Sequence, residues 1–177
     1  MKKLVLTVIL AVAPAMAADL YTFNVQPAGG NIQGNAGTTI GWGYSIQNQS
    51  SSLWLSTTGL NADTFQNGTP NLIFDFPDVA PGATVSVPFD ASTAAGLFEL
   101  TWNSTALLGF TNVGTFNLSA DWYSGDPLSG GTLVAAALTE SQPYSATVTP
   151  EPATIGMVGF MLVSVVWVKL FKVERSR

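Results

Sequence analysis

Asp75 with Asp78, Asp121 with Asp126, and Glu99 are the side chains of this 177-residue chain whose types and spacing could do chemistry. Two carboxylates about 5–9 Å apart can hydrolyse a glycosidic bond, one as acid and the other as nucleophile or base. The same oxygens can instead gather around calcium, a hard cation that takes oxygen ligands. Neither chemistry carries its usual signature. Asp75, Glu99 and Asp121 alternate with apolar residues, which puts them on solvated strand faces, and no EF-hand spacing occurs. Solvated surface acids are the plainer reading. The expectation is therefore no catalytic residue and no cofactor, with calcium at Asp75, Asp78, Asp121 or Asp126 as the alternative use.

Aromatic side chains offer a different chemistry, since a flat exposed ring binds the face of a sugar. Trp42, Trp102 and Trp122 each sit among alternating apolar residues and read as core. Trp54 points away from its neighbours Leu53 and Leu55, so it is the candidate glycan platform. Four Asn-x-Ser/Thr sequons begin at Asn48, Asn67, Asn103 and Asn117. In a chain this rich in Asn, Ser and Thr they arise readily by chance.

The elements that must position these residues are strands. Leu20–Val25, Thr38–Ile46, Leu53–Leu55, Asn71–Phe76, Ala83–Phe89, Phe98–Asn103 and Gly114–Ser124 alternate with a period of two. In the fourth, Leu72, Phe74 and Phe76 share the inward face. Asn61–Pro70 reads as a polar connection, and Ala91–Gly96 as a single helical turn. Thr132–Glu140 is apolar on both faces and reads as a central strand, with a short buried helix as the alternative. Tyr144, Ala146 and Val148 complete a body punctuated by Gly, Pro and Asn turns. The expected fold is all-β: a single antiparallel sandwich.

Charge divides the chain sharply. All six basic residues lie at the ends, as Lys2, Lys3, Lys169, Lys172, Arg175 and Arg177. Between residues 18 and 150 there is no Lys, Arg or His, against nine Asp and Glu. No side-chain salt bridge can form there, so each carboxylate must be solvated, accept backbone N–H bonds or meet a metal ion. Nucleic acid is excluded as a partner, because phosphate binding needs Lys or Arg. With no cysteine anywhere, disulfides, thiol catalysis and thiolate metal sites are excluded as well.

Both ends read as targeting. Met1-Lys2-Lys3, the apolar run Leu4–Ala13 and the Ala15-Met16-Ala17 site form a signal peptide over residues 1–17. An exported domain follows over 18–148. Residues 153–168 carry no charge and would span about 24 Å as a helix. Continuing to Phe171, with Lys169 snorkelling, brings a transmembrane helix over 153–171 to about 28 Å, close to the hydrocarbon thickness. Lys169, Lys172, Arg175 and Arg177 would hold the C-terminus on the cytoplasmic side.

The segment 149–177, with Pro150-Glu151-Pro152, its apolar span and its basic end, resembles the PEP-CTERM sorting signal of Gram-negative bacteria. That resemblance implies passage through the inner membrane and recognition by an exosortase. It further implies cleavage near the Pro-Glu-Pro and delivery to the cell surface or extracellular matrix, often alongside exopolysaccharide. Glu174 interrupts the basic cluster and is the one departure. Within the body, Thr38–Phe89 looks like the immunoglobulin-like modules of bacterial surface proteins. The likeness rests on the Trp42 strand, the Gln47-Asn48-Gln49-Ser50 turn and Val79-Ala80-Pro81-Gly82. It implies fold only, and a jelly roll of the carbohydrate-binding kind shares the pattern. Three functions follow in order: a non-enzymatic exported surface or matrix protein, a carbohydrate-binding module, and a carboxylate-dependent glycosidase.

Overall fold

A computed structural model describes residues 20–150. The signal peptide with Ala15 and Ala17, the helix at 153–171, Glu151, Pro152 and the basic residues Lys169, Lys172, Arg175 and Arg177 lie outside the described residues. Among the described residues no helix is long and apolar enough to cross a membrane.

Period-two alternation becomes strands nearly throughout. They are β1 (Tyr21–Gln26), β2 (Asn31–Gly34), β3 (Thr39–Asn48), β4 (Trp54–Ala62), β5 (Gly68–Leu72), β6 (Asp78–Val79), β7 (Thr84–Val87), β8 (Phe98–Trp102), β9 (Thr111–Ser124), β10 (Thr132–Ala136) and β11 (Glu140–Val148). One sheet has the order β1-β3-β8-β5, with β7 also pairing β3. The other has the order β2-β11-β9-β4-β6, with β10 also pairing β9. Every pairing is antiparallel except β2 with β11. The protein is an all-β, two-sheet sandwich.

The inward positions of both sheets fill the space between them. Phe23, Trp42, Tyr44, Ile46, Leu100 and Trp102 from one sheet are buried, as are Leu55, Phe116, Leu118, Trp122, Tyr144 and Ala146 from the other. Trp42 touches both layers. Its ring centroid lies 5.2 Å from Phe116 and 5.2 Å from Tyr144, edge to face, and its indole N–H donates to the Gly30 carbonyl at 2.7 Å. Burying a Trp side chain of 150–250 Å² is worth roughly 4–6 kcal/mol before conformational entropy is counted. As expected from their strands, Trp102 and Trp122 are core residues too.

Four sequence expectations are corrected. The strand expected at Asn71–Phe76 lies earlier, because Gly68–Leu72 pairs with β8 and the chain then leaves the sheet. Only Phe74 of the three alternating residues is buried; Leu72 and Phe76 are exposed, and Phe76 has φ 51°. The stretch Asn61–Pro70 is accordingly not all connection, since β4 and β5 reach into it. Ala91–Gly96 is a non-helical turn, closed by a bridge between Asp90 and Ala95. Thr132–Ala136 is neither central nor a helix. Among the described residues it pairs with β9 alone, and all five of its residues are exposed.

The first and last strands of the described body leave it at opposite poles of the sandwich. Tyr21 pairs with Asn48 at the end of β3. Thr149 donates its N–H to Gly34, four residues before Thr38 and the start of β3. At about 3.4 Å per residue, the length of β3 sets these poles roughly 30 Å apart. The C-terminal pole gathers residues 34–38, 103–111 and 147–150; the opposite pole holds Asn48, Trp54 and Tyr123.

Three buried tyrosines couple stability to pH. Desolvation is the main cause that pushes Tyr21 and Tyr144 up to about 12, and it raises Tyr44 further still, helped by its hydrogen bond to Asp75. A folded-state phenol pKa above the unfolded value near 10 means that the native state keeps its proton longer. Stability from these residues is complete below pH 10; the Tyr21 and Tyr144 shares are lost as pH rises from 10 through 12, and the Tyr44 share is lost at higher pH. Denaturant melts of the 18–150 body should therefore weaken steadily above pH 10. Phenolate absorbance from these three tyrosines should appear together with the loss of native structure.

Candidate functional site

Trp54 is the first residue of β4, and its side chain emerges on the outer face because Leu55 is turned into the core. Its cross-strand partner on β9 is Tyr123, whose own neighbour Trp122 is buried. On the far side of β9, Tyr123 pairs in turn with Leu133 of β10, which is 56% exposed. Trp54, Tyr123 and Leu133 thus form one row across three strands. Trp54 and Tyr123 are both half-buried, as side chains lying along a sheet are.

The next row on the same face is polar. Ser56 pairs with Asp121 on one side and with Asp78 of β6 on the other. Two acids and a hydroxyl therefore lie beside the aromatic row, supplying acceptors and a donor of the kind sugar hydroxyls use. Farther along, the face is a lattice of short polar side chains: Ser141 donates to Asn117 at 2.6 Å and Ser145 to Asn31 at 2.6 Å.

The remaining acids are tied to local structure. Asp75 accepts the buried Tyr44 hydroxyl and so pins the segment leaving β5. Asp126 caps the turn after β9, accepting from the Leu128 N–H at 2.9 Å and the Ser129 hydroxyl at 3.0 Å. Glu99 accepts from the Asn71 amide at 2.8 Å. Asp90 is fully exposed and bonded to Ser92 through both hydroxyl and N–H, which holds its carboxyl below the usual range. Of the four calcium candidates, Asp78 and Asp121 share a row, while Asp75 and Asp126 are committed elsewhere. Among the described residues no three acids gather as a metal site.

A cleft of about 340 Å³ opens beside β4 and β5, lined by Asn61, Asp63, Phe65, Leu72 and Phe98. Asp63 is its one carboxylate, and it accepts from both the N–H and the hydroxyl of Thr115. A two-carboxylate mechanism has no second acid there.

The first sequon is a structural asparagine. Asn48 is fully buried, and its amide donates to the Leu53 carbonyl at 2.8 Å and the Val79 carbonyl at 2.9 Å. Its oxygen accepts from the Ser50 N–H at 2.9 Å. One side chain thereby ties β3 to the start of β4 and to β6, behind the aromatic row. Asn67 and Asn103 are exposed, and Asn117 is bonded to Ser141.

No family model matches the chain, and no curated protein matches it. Among solved structures it is similar to a chain in a crystal structure of a CaDoc0917–CaCohA2 complex, at 18% identity and a TM-score of 0.26. That likeness covers 73% of this chain and 100% of the other.

Replacing Asn48 by Ala would strand the Leu53 and Val79 carbonyls and the Ser50 N–H away from water. The expected loss is about 1–3 kcal/mol of unfolding free energy. Gln49→Ala, one residue along on the exposed side, should change it by less than about 0.5 kcal/mol. Urea denaturation of the two variants checks both values.

Proposed function

We propose that this chain is an exported, non-enzymatic surface protein. In this reading a folded, base-free β-sandwich is carried to the membrane by the signal peptide and held there by the apolar segment 153–171. The C-terminus lies inside, and an exosortase acts at Pro150-Glu151-Pro152. The observation that carries the reading is the coincidence of two boundaries. The core closes at Val148 and the last backbone bond of the body is made by Thr149, immediately before the Pro-Glu-Pro and the apolar span. Pro150 itself is exposed, as a segment offered to a processing enzyme must be.

The finer fold is immunoglobulin-like. Support comes from the sheet orders, β1-β3-β8-β5 in one layer and β11-β9-β4 within the other, which match the four-and-three arrangement of that class. A jelly roll places its eight strands in two Greek keys and fits the parallel β2–β11 pair less well.

The specific observation favouring a binding role is the row of Trp54 and Tyr123 beside Ser56, Asp78 and Asp121. Aromatic rings along one strand row, with hydroxyl and carboxylate groups in the next, suit the apolar face and equatorial hydroxyls of a surface polysaccharide. The row sits at the pole opposite the C-terminal exit, so a tethered body would present it outward. The partners in this reading are the inner membrane and exosortase during sorting, then exopolysaccharide.

Intact-mass analysis of the extracellular form tests the sorting proposal. The expected product begins at Ala18 and ends near Glu151, and a species retaining Arg177 outside the cell would overturn it. Glycan arrays test the binding proposal. Trp54→Ala and Tyr123→Ala should each remove at least about 1 kcal/mol of binding, near a fivefold loss of affinity. Equal binding by wild type and both variants would sink it.

A further inference from the structure

The loop between β8 and β9 carries two leucines that the core does not use. Leu107 is 77% exposed and Leu108 is 63% exposed. The loop holding them is firmly built. Ala106 is buried, and the Phe110 ring packs edge-on against Trp102 with centroids 6.2 Å apart. The Phe110 N–H donates to Leu107, closing a turn in which Gly109 has φ 79°. Gly109 and Phe110 also exchange backbone bonds with Val148, the last residue of β11. The two leucines are thus fixed directly beside the strand from which the chain leaves the body.

From that point the distance to the apolar segment is short. Thr149 is still bonded to Gly34, so the free connection is Pro150, Glu151 and Pro152 before Ala153. The four residue steps from Thr149 to Ala153 span at most about 14 Å even when fully extended. The headgroup layer on each side of a bilayer is itself about 5–7 Å thick. Residues 34–38 and 103–111, which surround the exit, contain no charged side chain. Apart from Glu151 in the connection itself, the pole that would face the bilayer therefore brings no carboxylate to be desolvated on approach.

We propose that Leu107 and Leu108 form a second membrane contact, inserting into the lipid interface beside the 153–171 span and standing the sandwich upright on its C-terminal pole. This rests on the reading of 153–171 as a membrane span. The occupant is a lipid surface. Two leucines are too little to bring the body to a bilayer from solution. The span makes their insertion intramolecular, where a high effective concentration lets a small apolar contact saturate. The contact fixes orientation, holding the Trp54–Tyr123 row away from the membrane.

The chain has no cysteine, so a single introduced cysteine carries a unique probe. Leu108→Cys, Leu133→Cys and Val168→Cys are made in the full chain, labelled with an environment-sensitive nitrobenzoxadiazole dye after extraction from membranes, and reconstituted into phosphatidylethanolamine–phosphatidylglycerol vesicles. The expected result is blue-shifted emission, quenched by headgroup-region spin-labelled lipid, at position 108. Deeper quenching is expected at 168 and none at 133. A buried probe at 168 with an unquenched probe at 108 overturns the second contact and leaves the span standing. An unquenched probe at 168 overturns the span, and this inference with it. Quenching at both 108 and 133 means that the body lies flat, which overturns the upright arrangement.

Discussion

The indole of Trp42 is the interaction on which the rest of the sandwich depends. It crosses the interior from β3 and packs on Phe116 and Tyr144 of the opposing sheet. Its single polar atom is satisfied by the Gly30 carbonyl at the mouth of β2. Phe65 and Phe98 extend this cluster to the lip of the open cleft. Trp102 supplies the contrast: it is as deeply buried, yet its indole N–H has no partner among the described residues. The first tryptophan adds specificity through a hydrogen bond that one backbone geometry allows. The second adds area without such a bond.

A body without a single base has to manage its acids by other means, and the structure shows three. Some carboxylates cap turns, as Asp126 and Asp90 do. Others accept from neutral side chains and backbone, as Asp63, Asp75 and Glu99 do. Asp78 and Asp121 stand on the outer face of a sheet. None is buried, so none forces a compensating cation into the core. The same constraint leaves the polar face of the larger sheet dependent on Ser, Thr and Asn ladders, which bond across strands without long-range charge.

Much of this was legible from alternation alone. In β3, β8 and β9 the inward residues fall where a period of two puts them, because both layers bury one face. The misreadings have physical causes. Leu72, Phe74 and Phe76 keep the alternation, but the Tyr44–Asp75 contact draws the chain out of the sheet after Leu72, so the period no longer maps to a face. Thr132–Ala136 is apolar enough for a centre yet lies on an edge, since β2 reaches only the lower half of β11 and nothing among the described residues covers β10. Gly41 and Gly43 of β3 are buried as well. They lie under the segment after β7, where a Cβ on Gly41 would come within 2.2 Å of the Phe89 ring.

The aromatic row shows where a single sequence stops. Trp54 announces itself by pointing against its leucine neighbours. Tyr123 does not, being one of several outward residues on a long amphipathic strand. Their pairing is set by the register of β4 on β9, and that register shifts between Thr57 and Gly59. An irregularity of this kind moves every later partner by a residue, and alternation in either strand alone carries no trace of it. Asn48 is hidden for the opposite reason: its sequence context advertises a surface modification, whereas its side chain replaces three backbone bonds at a strand junction. In both cases the role comes from what a neighbouring strand brings opposite the residue, which is information held in the fold and not in the residue's own segment.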